Sequence, residues 1–137
     1  MIEMIPAAIA THNKQRMQSV FAELAAGNTR PFRAALADDI RWTIIGTTAW
    51  SRIYFGKRTV IDELFTPLFA RFAGTYTSTA HRMIAEDDHV VIECRGNVMT
   101  KAGQPYHNTY CYVCTLTDGK ITELIEYCDT ALIDAVL

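Results

Sequence analysis

Side chains that could carry out acid–base chemistry are concentrated towards the end of the chain. Glu126 and Asp129 offer carboxylates, while Asn108, Tyr110 and Tyr112 offer amide and hydroxyl groups. Burial of a carboxylate in an apolar cavity raises its pKa, so that it can take a proton from a carbon next to a carbonyl. These residues predict proton transfer on a small, mostly apolar carbonyl compound, with Glu126 or Asp129 as general base and Asn108 and Tyr110 as polarising donors.

The turn at Asp118-Gly119 decides which of these side chains share one face of a hairpin. A two-residue type I′ turn would pair Tyr110 with Tyr127 and group Asn108, Tyr110, Tyr127 and Asp129. A type I turn followed by a glycine bulge would pair Tyr110 with Glu126 and group Asn108, Tyr110, Tyr112 and Glu126. The spacing of the residues leaves both arrangements open.

Other side chains have weaker chemical signals. Trp42 is expected to form a cavity wall, and Tyr54 to cover the cavity mouth or pack on a helix. His12 and His89 are expected to be exposed, and no histidine has the spacing to a carboxylate that a metal site requires. We therefore predict no metal and no cofactor.

Four cysteines include the C-x-x-C spacing of Cys111 and Cys114. In a redox motif this spacing begins a helix, where the helix dipole lowers the thiol pKa. Here the segment alternates like a strand, and residues three apart on a strand point to opposite faces. The sequence predicts reduced cysteines that pack as small hydrophobic side chains.

Three helices are predicted before most of the strands. Residues 5–26 carry a helical apolar stripe that ends at Gly27, and a short helix follows from Thr29 to about Ala37. Asp38-Asp39 should end it, and Ile40 begins an alternating strand that continues to Ile44. A third helix is predicted over residues 57–73, kinked at Pro67 and ended by Gly74.

The remainder indicates four strands in a meander, at residues 75–85, 89–99, 105–116 and 120–129, followed by a short tail. A further short strand is expected near Ile53. Helices first and strands afterwards favour an α+β fold, with three N-terminal helices packed on a curved, mostly antiparallel sheet. Such a cone is open at one end, where ligands bind. Residues 1–137 are predicted to form a single domain.

Composition limits the classes of function. Half of the 137 residues are apolar and a fifth are charged, which suits a packed core. The net charge of −2 offers no basic face for nucleic acid, and no apolar run is long enough to span a bilayer. Residues 1–6 lack the basic start and apolar segment of a secretory signal, so a cytoplasmic protein is expected.

Several segments together resemble the SnoaL-like polyketide cyclase family of the NTF2-like, or ketosteroid isomerase-like, superfamily. They cover nearly the whole chain in the family's order. The quoted segments are Phe32-Arg33-Ala34-Ala35-Leu36-Ala37-Asp38-Asp39-Ile40-Arg41-Trp42, Tyr54-Phe55-Gly56-Lys57, Tyr106-His107-Asn108-Thr109-Tyr110, Asp118-Gly119-Lys120-Ile121 and Glu126-Tyr127-Cys128-Asp129-Thr130.

The resemblance implies a cone with a small-molecule pocket. It also indicates which carboxylate points into that pocket. Steroid isomerases of the superfamily place their base where this chain has Thr43-Ile44-Ile45, and no acid stands within residues 104–117 for the second role. Limonene epoxide hydrolase places an acid at Glu126, but its other groups fall at Cys94 and Gly96. Glu93 and Arg95 lie one position away and should face outward unless a bulge shifts the register. The resemblance favours Glu126 as the inward acid, with Asp129 in reserve.

Three functions are compatible with these observations. The first is a cofactor-free cyclase or isomerase, with Trp42, Tyr54, Asn108, Tyr110 and Tyr112 around a small apolar organic ligand. The second is a ligand-binding module without turnover. The third is a dimerisation module, since the outward set His107, Thr109, Cys111 and Val113 is apolar enough to pair with a second copy.

Overall fold

A computed structural model describes residues 5–137 of the chain. The expectation that the chain begins without a signal segment rests mostly on residues 1–4, which lie outside the described residues. Within the described part, no helix is long and apolar enough to cross a membrane.

Helices α1 (Pro6–Ala25) and α2 (Arg30–Ala35) agree with the predicted helices to within two residues at each end. Pro6 begins α1, where its missing N–H is not needed. The helix ends at Gly27, whose φ of 84° allows the Asn28 N–H to donate to the Glu23 carbonyl. Helix α1 packs its buried side chains on the sheet, mainly through Met17, Val20, Phe21 and Leu24.

Helix α3 occupies residues 57–69, which is shorter than predicted. It begins as an α-helical turn (Lys57–Thr59), widens to a π-helix (Val60–Phe65) and closes with an α-helical turn (Thr66–Phe69). Pro67 has no N–H to continue the ordinary ladder, and the Thr66 N–H reaches back to the Ile61 carbonyl instead. The predicted end at Gly74 was wrong, because Gly74 lies inside the next strand.

The six strands form one curved sheet, as predicted. They are β1 (Leu36–Ile44), β2 (Ile53–Phe55), β3 (Phe72–Glu86), β4 (His89–Thr100), β5 (Thr109–Thr117) and β6 (Lys120–Cys128). Their order is β2-β1-β6-β5-β4-β3, with β1 and β6 parallel and the other neighbours antiparallel. Strand β1 begins at Leu36, so Asp38-Asp39 lies inside it rather than before it.

Irregularities in pairing bend the sheet around the helices. The register between β3 and β4 shifts twice, between Ala73 and Thr77 and between Ala80 and Arg82. A bulge of this kind bends the strand that contains it and increases the local twist. The long strand β3 therefore curls, and the inner face of the sheet becomes concave towards α1 and α3.

A fourth helix, α4 (Thr130–Val136), lies where the sequence analysis predicted only a short tail. The Asp129 carboxylate caps it by accepting from the Ala131 and Leu132 N–H groups. Ile133 packs in a second, smaller cluster with Phe72, Val98 and Tyr106. Helix α4 therefore covers one end of the cone.

The prediction that the cysteines are buried and reduced is confirmed only in part. All four are free thiols, and Cys94 and Cys114 are buried. Cys111 and Cys114 lie on opposite faces of β5, with Cys111 on the half-exposed outer face. The C-x-x-C spacing is a consequence of strand alternation and not of a redox site.

Candidate functional site

An apolar cavity lies between the inner face of the sheet and helices α1, α2 and α3. Its volume is about 70 Å³, several times the roughly 10–15 Å³ that one water molecule needs. Among the residues that line it, Arg33 and Phe69 are half-exposed. Aromatic rings dominate the wall, which includes Phe21, Phe32, Trp42, Phe65, Tyr76, Tyr106, Tyr110 and Tyr112.

The register of β5 and β6 brings Glu126 to this wall. Asp118 and Gly119 have φ angles of 50° and 76°, and Thr117 pairs with Lys120, as in a two-residue type I′ turn. A bulge then shifts the pairing by one residue beyond Leu116, so Tyr112 lies opposite Glu126.

Both predicted partners of Tyr110 were therefore wrong, because Tyr110 pairs with Cys128. The bulge lies inside the hairpin rather than at its turn, whereas the sequence analysis considered a bulge only at the turn. Three of the four residues in the second predicted grouping nevertheless line the cavity, whereas Asn108 does not. Tyr110, Tyr112 and Glu126 point inward together.

Glu126 is a buried acid in an apolar setting, with only 7% of its surface exposed. The indole Nε1 of Trp42 donates to its Oε1 over 3.3 Å. Burial raises the pKa of Glu126 to about 7, against the opposing effects of hydrogen bonds from Cys128 and Trp42. Both protonation states are therefore accessible near neutral pH, which is what a group that takes and returns a proton needs.

The rings next to Glu126 are held in fixed orientations. Trp42 meets Tyr112 edge to face, with ring centroids 6.0 Å apart, and Tyr112 stacks on Tyr110 at 5.2 Å. Burial raises the pKa of both tyrosines well above the ordinary value. Their hydroxyls therefore remain protonated and act as neutral hydrogen-bond groups.

Asn108 is fully buried but does not line the cavity. Its amide donates to the Tyr106 hydroxyl at 3.1 Å and to the Asp129 carbonyl at 3.2 Å, and its oxygen accepts from the Asp129 N–H at 3.0 Å. The prediction that Asn108 binds substrate was wrong for this geometry, because its hydrogen bonds already join the end of β6 to the start of β5.

Asp129 and Tyr54 also lie outside the cavity. Asp129 is exposed, and its carboxylate caps α4, so the predicted reserve acid does not face the pocket. Tyr54 is buried against the core, where its hydroxyl donates to the Trp50 carbonyl at 2.9 Å. Tyr54 pairs with Trp42 and lies on the same face of the sheet, but it is not among the residues that line the cavity.

The sequence analysis missed five polar residues of the wall, namely Thr29, Arg33, Tyr76, Ser78 and Tyr106. Tyr106 accepts a hydrogen bond from Tyr110 at 3.4 Å. Tyr76 and Ser78 have the two-residue spacing of side chains on one strand face, and this signal was available. Which face was inward depended on the bulge after Ala73, which the sequence does not display.

Among residues 5–137, no group of three or more histidine, cysteine, aspartate or glutamate side chains is arranged to hold a metal ion. Glu126 is the one carboxylate among the described residues that line the cavity.

Residues 7–124 match the family model described as a SnoaL-like domain. No curated protein matches the chain significantly.

Solved structures show the same fold at low sequence identity. A protein assigned as a SnoaL-like polyketide cyclase from Jannaschia sp. CCS1 has a TM-score of 0.75 and 18% identity, over 99% of this chain and 96% of that one. TerC, co-crystallised with polyporic acid, has a TM-score of 0.74 and 17% identity, over 90% and 96%. An epoxide hydrolase from M. tuberculosis, similar to limonene epoxide hydrolase, has a TM-score of 0.70 and 20% identity, over 93% and 90%.

Proposed function

This chain belongs to the SnoaL-like domain family, and we propose that it carries out cofactor-free proton transfer on a small, mostly apolar carbonyl compound. Folds of this family commonly bind small molecules and support isomerisation or cyclisation. The fold alone does not fix the reaction, so the proposal rests on the cavity and its acid.

The observation that carries the proposal is the position of Glu126. It is a buried carboxylate in an aromatic cavity, and its pKa is raised to about 7. Perturbed acids of this kind are concentrated at functional sites. A surface carboxylate or the carboxylate of a salt bridge would lack this combination of burial and elevated pKa.

In the proposed reaction, ionised Glu126 takes a proton from the carbon next to the substrate carbonyl, and the electron pair moves onto the carbonyl oxygen as an enolate. Protonated Glu126 then returns the proton to the same or a neighbouring carbon. The Trp42 N–H holds one carboxylate oxygen and so fixes its direction. Tyr110 and Tyr112 exclude water and remain neutral, and the Tyr110 hydroxyl donates to the Tyr106 hydroxyl.

Epoxide hydrolysis is a weaker candidate on this geometry. Glu93 forms an ion pair with Arg82, Arg95 is exposed, and Cys94 is the buried residue between them. Strand β4 alternates without a bulge at this point, so Glu93 and Arg95 face away from the cavity, as expected for an unshifted register. Glu126 lacks the second acid and the arginine that the hydrolases of this superfamily were expected to use.

Exchange of the acetophenone methyl protons in D₂O tests proton abstraction directly, with NMR as the measurement. We expect the wild-type protein to accelerate exchange and Glu126→Gln to abolish the acceleration while preserving the shape of the site. Asp129→Asn is the matched control and should keep full exchange. Equal exchange by wild type and Glu126→Gln would overturn the proposal.

Binding without turnover is the second candidate, favoured by the single carboxylate in the described lining. TerC, of the same fold, was crystallised with polyporic acid, which agrees with an organic ligand in such a cone. Under this candidate the protein binds acetophenone, as calorimetry would measure, and leaves its methyl protons unexchanged.

We also propose that two copies associate through the outer face of the sheet. Register aligns Val91, Val113 and Ile125 in one row across β4, β5 and β6, and Cys111 with Tyr127 in the next. These half-exposed or exposed apolar side chains form one continuous patch. Light scattering should give a dimer mass that falls to a monomer mass in Val113→Glu, whereas a monomeric wild type would refute the proposal.

A further inference from the structure

Ser78 carries a buried hydroxyl that the proposed reaction does not use. The residue is 3% exposed and belongs to the cavity wall, and its Oγ has no hydrogen-bond partner among the described residues. The neighbouring Cys94 thiol is close enough to interact with this hydroxyl, but a thiol is only a weak hydrogen-bonding group. An unpaired buried hydroxyl is unfavourable, and a ligand oxygen in the cavity would supply the missing partner.

Tyr76 brings a second hydroxyl to the same place. Tyr76 and Ser78 lie on one face of β3, between its two bulges, and Ser78 pairs with Gly96 of β4. A Cβ at Gly96 would lie 2.7 Å from the Tyr76 hydroxyl and 2.9 Å from its Cε2 atom. The absence of a side chain at Gly96 is therefore what admits the end of the Tyr76 ring.

Besides burial, the charge of Glu126 affects the pKa of the nearby Tyr76 hydroxyl. Burial is the main cause of the raised pKa of Tyr76, an interaction with the neighbouring Tyr110 hydroxyl opposes it, and the charge of Glu126 is near enough to contribute to the rise. Tyr76 thus remains a protonated donor. The Tyr76 ring is itself fixed by stacking on Phe72, with centroids 5.6 Å apart and planes 15° apart.

We infer that Tyr76 and Ser78, seated over Gly96, form an oxygen-binding subsite that holds the carbonyl oxygen of the ligand. Both hydroxyls donate to that oxygen, which becomes more negative as Glu126 removes the proton from the adjacent carbon. Donors aimed at developing charge in a water-poor site stabilise the enolate more than the ketone. The inference rests on the proposed function and names the residues that would select an oxygen-bearing ligand.

The binding preference for acetophenone over α-methylstyrene tests the subsite, because the second compound replaces C=O by C=CH₂ in nearly the same shape. Calorimetry at about pH 9, roughly two units above the Glu126 pKa, keeps Glu126 ionised so that it offers the ketone no donor. The variants are Ser78→Ala and Tyr76→Phe. Matched controls are Thr79→Ala and Tyr127→Phe, whose side chains are exposed on the outer face.

We expect Ser78→Ala and Tyr76→Phe each to reduce the ketone preference on the order of fivefold to tenfold, with α-methylstyrene binding nearly unchanged. The controls should keep the wild-type preference. Gly96→Ala should also reduce it, because the added methyl displaces the Tyr76 hydroxyl.

An unchanged preference in Ser78→Ala and Tyr76→Phe would overturn the inference, as would a loss confined to Tyr110→Phe, which would assign the oxygen to Tyr110. Either result leaves the role of Glu126 intact, because proton exchange on acetophenone is measured separately. Failure of both compounds to bind would instead remove the cavity as a ligand site, and the proposed function with it.

Discussion

Glu126 and Asp129 lie three positions apart at the end of one strand, and the fold gives them opposite environments. Glu126 is buried in the aromatic cavity, where a single indole N–H and a thiol are its hydrogen-bond partners. Asp129 is exposed, and its carboxylate accepts two backbone N–H groups at the start of α4.

The comparison teaches that a carboxylate takes its role from the strand pleat and the nearest donors. Glu126 points into the cavity because it pairs with Tyr112 across the hairpin. Asp129 lies just beyond the strand, where free N–H groups of a helix need an acceptor. Residue type alone does not distinguish an acid with a raised pKa from a structural cap.

The largest expected effect concerns the pH dependence of stability at Glu126. Its pKa rises from the ordinary 4.5 to about 7 on folding, so the folded state binds more protons than the unfolded state between these values. The free energy of unfolding should therefore fall as pH rises through this window, by about 3 kcal/mol in total. Urea unfolding at intervals across this pH range measures the slope.

Glu126→Gln removes the ionisable group and should flatten that slope, leaving the variant more stable than wild type above the window. Asp129→Asn is the matched acid-to-amide control and should keep the wild-type slope. If Glu126→Gln and wild type lost stability in parallel as pH rises, the pH dependence would not come from Glu126, and the proposed difference between the two acids would be wrong.

The second prediction concerns Asn108, whose side chain fixes the boundary between the two acids. Asn108→Ala leaves the N–H and the carbonyl of Asp129 without their side-chain partner and removes one of the two hydrogen bonds to the Tyr106 hydroxyl. We expect a loss of about 2 kcal/mol in the free energy of unfolding, because unpaired buried polar groups are costly. Exposed Asn97 on β4 provides the control variant Asn97→Ala, which should be near neutral. Equal stability of the two variants would argue against a stabilising role for the hydrogen bonds of Asn108.

Much of the fold could be predicted because periodic patterns report burial directly. The helical stripe at Met17, Val20 and Phe21 identified α1, and alternation identified most of β4, β5 and β6. The inward grouping of Tyr110, Tyr112 and Glu126 followed from even spacing once the resemblance had favoured one arrangement.

The rest depended on local events that leave little trace in a pattern. Helix α4 is a single short stretch of seven residues, so its cap at Asp129 was not recognised as one. The bulges that turn Tyr76 and Ser78 inward insert a residue without a fixed sequence signal. Asn108 was misassigned because its partners lie 21 residues away at Asp129, and tertiary hydrogen bonds do not follow from spacing.

A smaller effect is expected at the helix cap itself. Asp129→Ala removes the acceptor for the Ala131 and Leu132 N–H groups and should lower the free energy of unfolding by about 1 kcal/mol. Acetophenone exchange should be unchanged, because Asp129 does not face the cavity. Asp134→Ala within the same helix is the control and should be close to neutral. A loss of acetophenone exchange in Asp129→Ala would show that Asp129 takes part in proton transfer.

The smallest expected effect is on the pKa of Glu126 when its indole partner is removed. The Trp42 hydrogen bond favours the ionised carboxylate and so lowers the pKa that burial raises. Trp42→Phe should raise the Glu126 pKa further, by less than about one unit, the equivalent of one hydrogen bond. Carboxyl ¹³C NMR measures it, with Trp50→Phe as the control that keeps Trp42. The smaller ring also opens space beside the carboxylate, and water entering there would lower the pKa. The sign of the shift therefore decides between the two causes: a rise supports a dry site oriented by the indole, and a fall contradicts it.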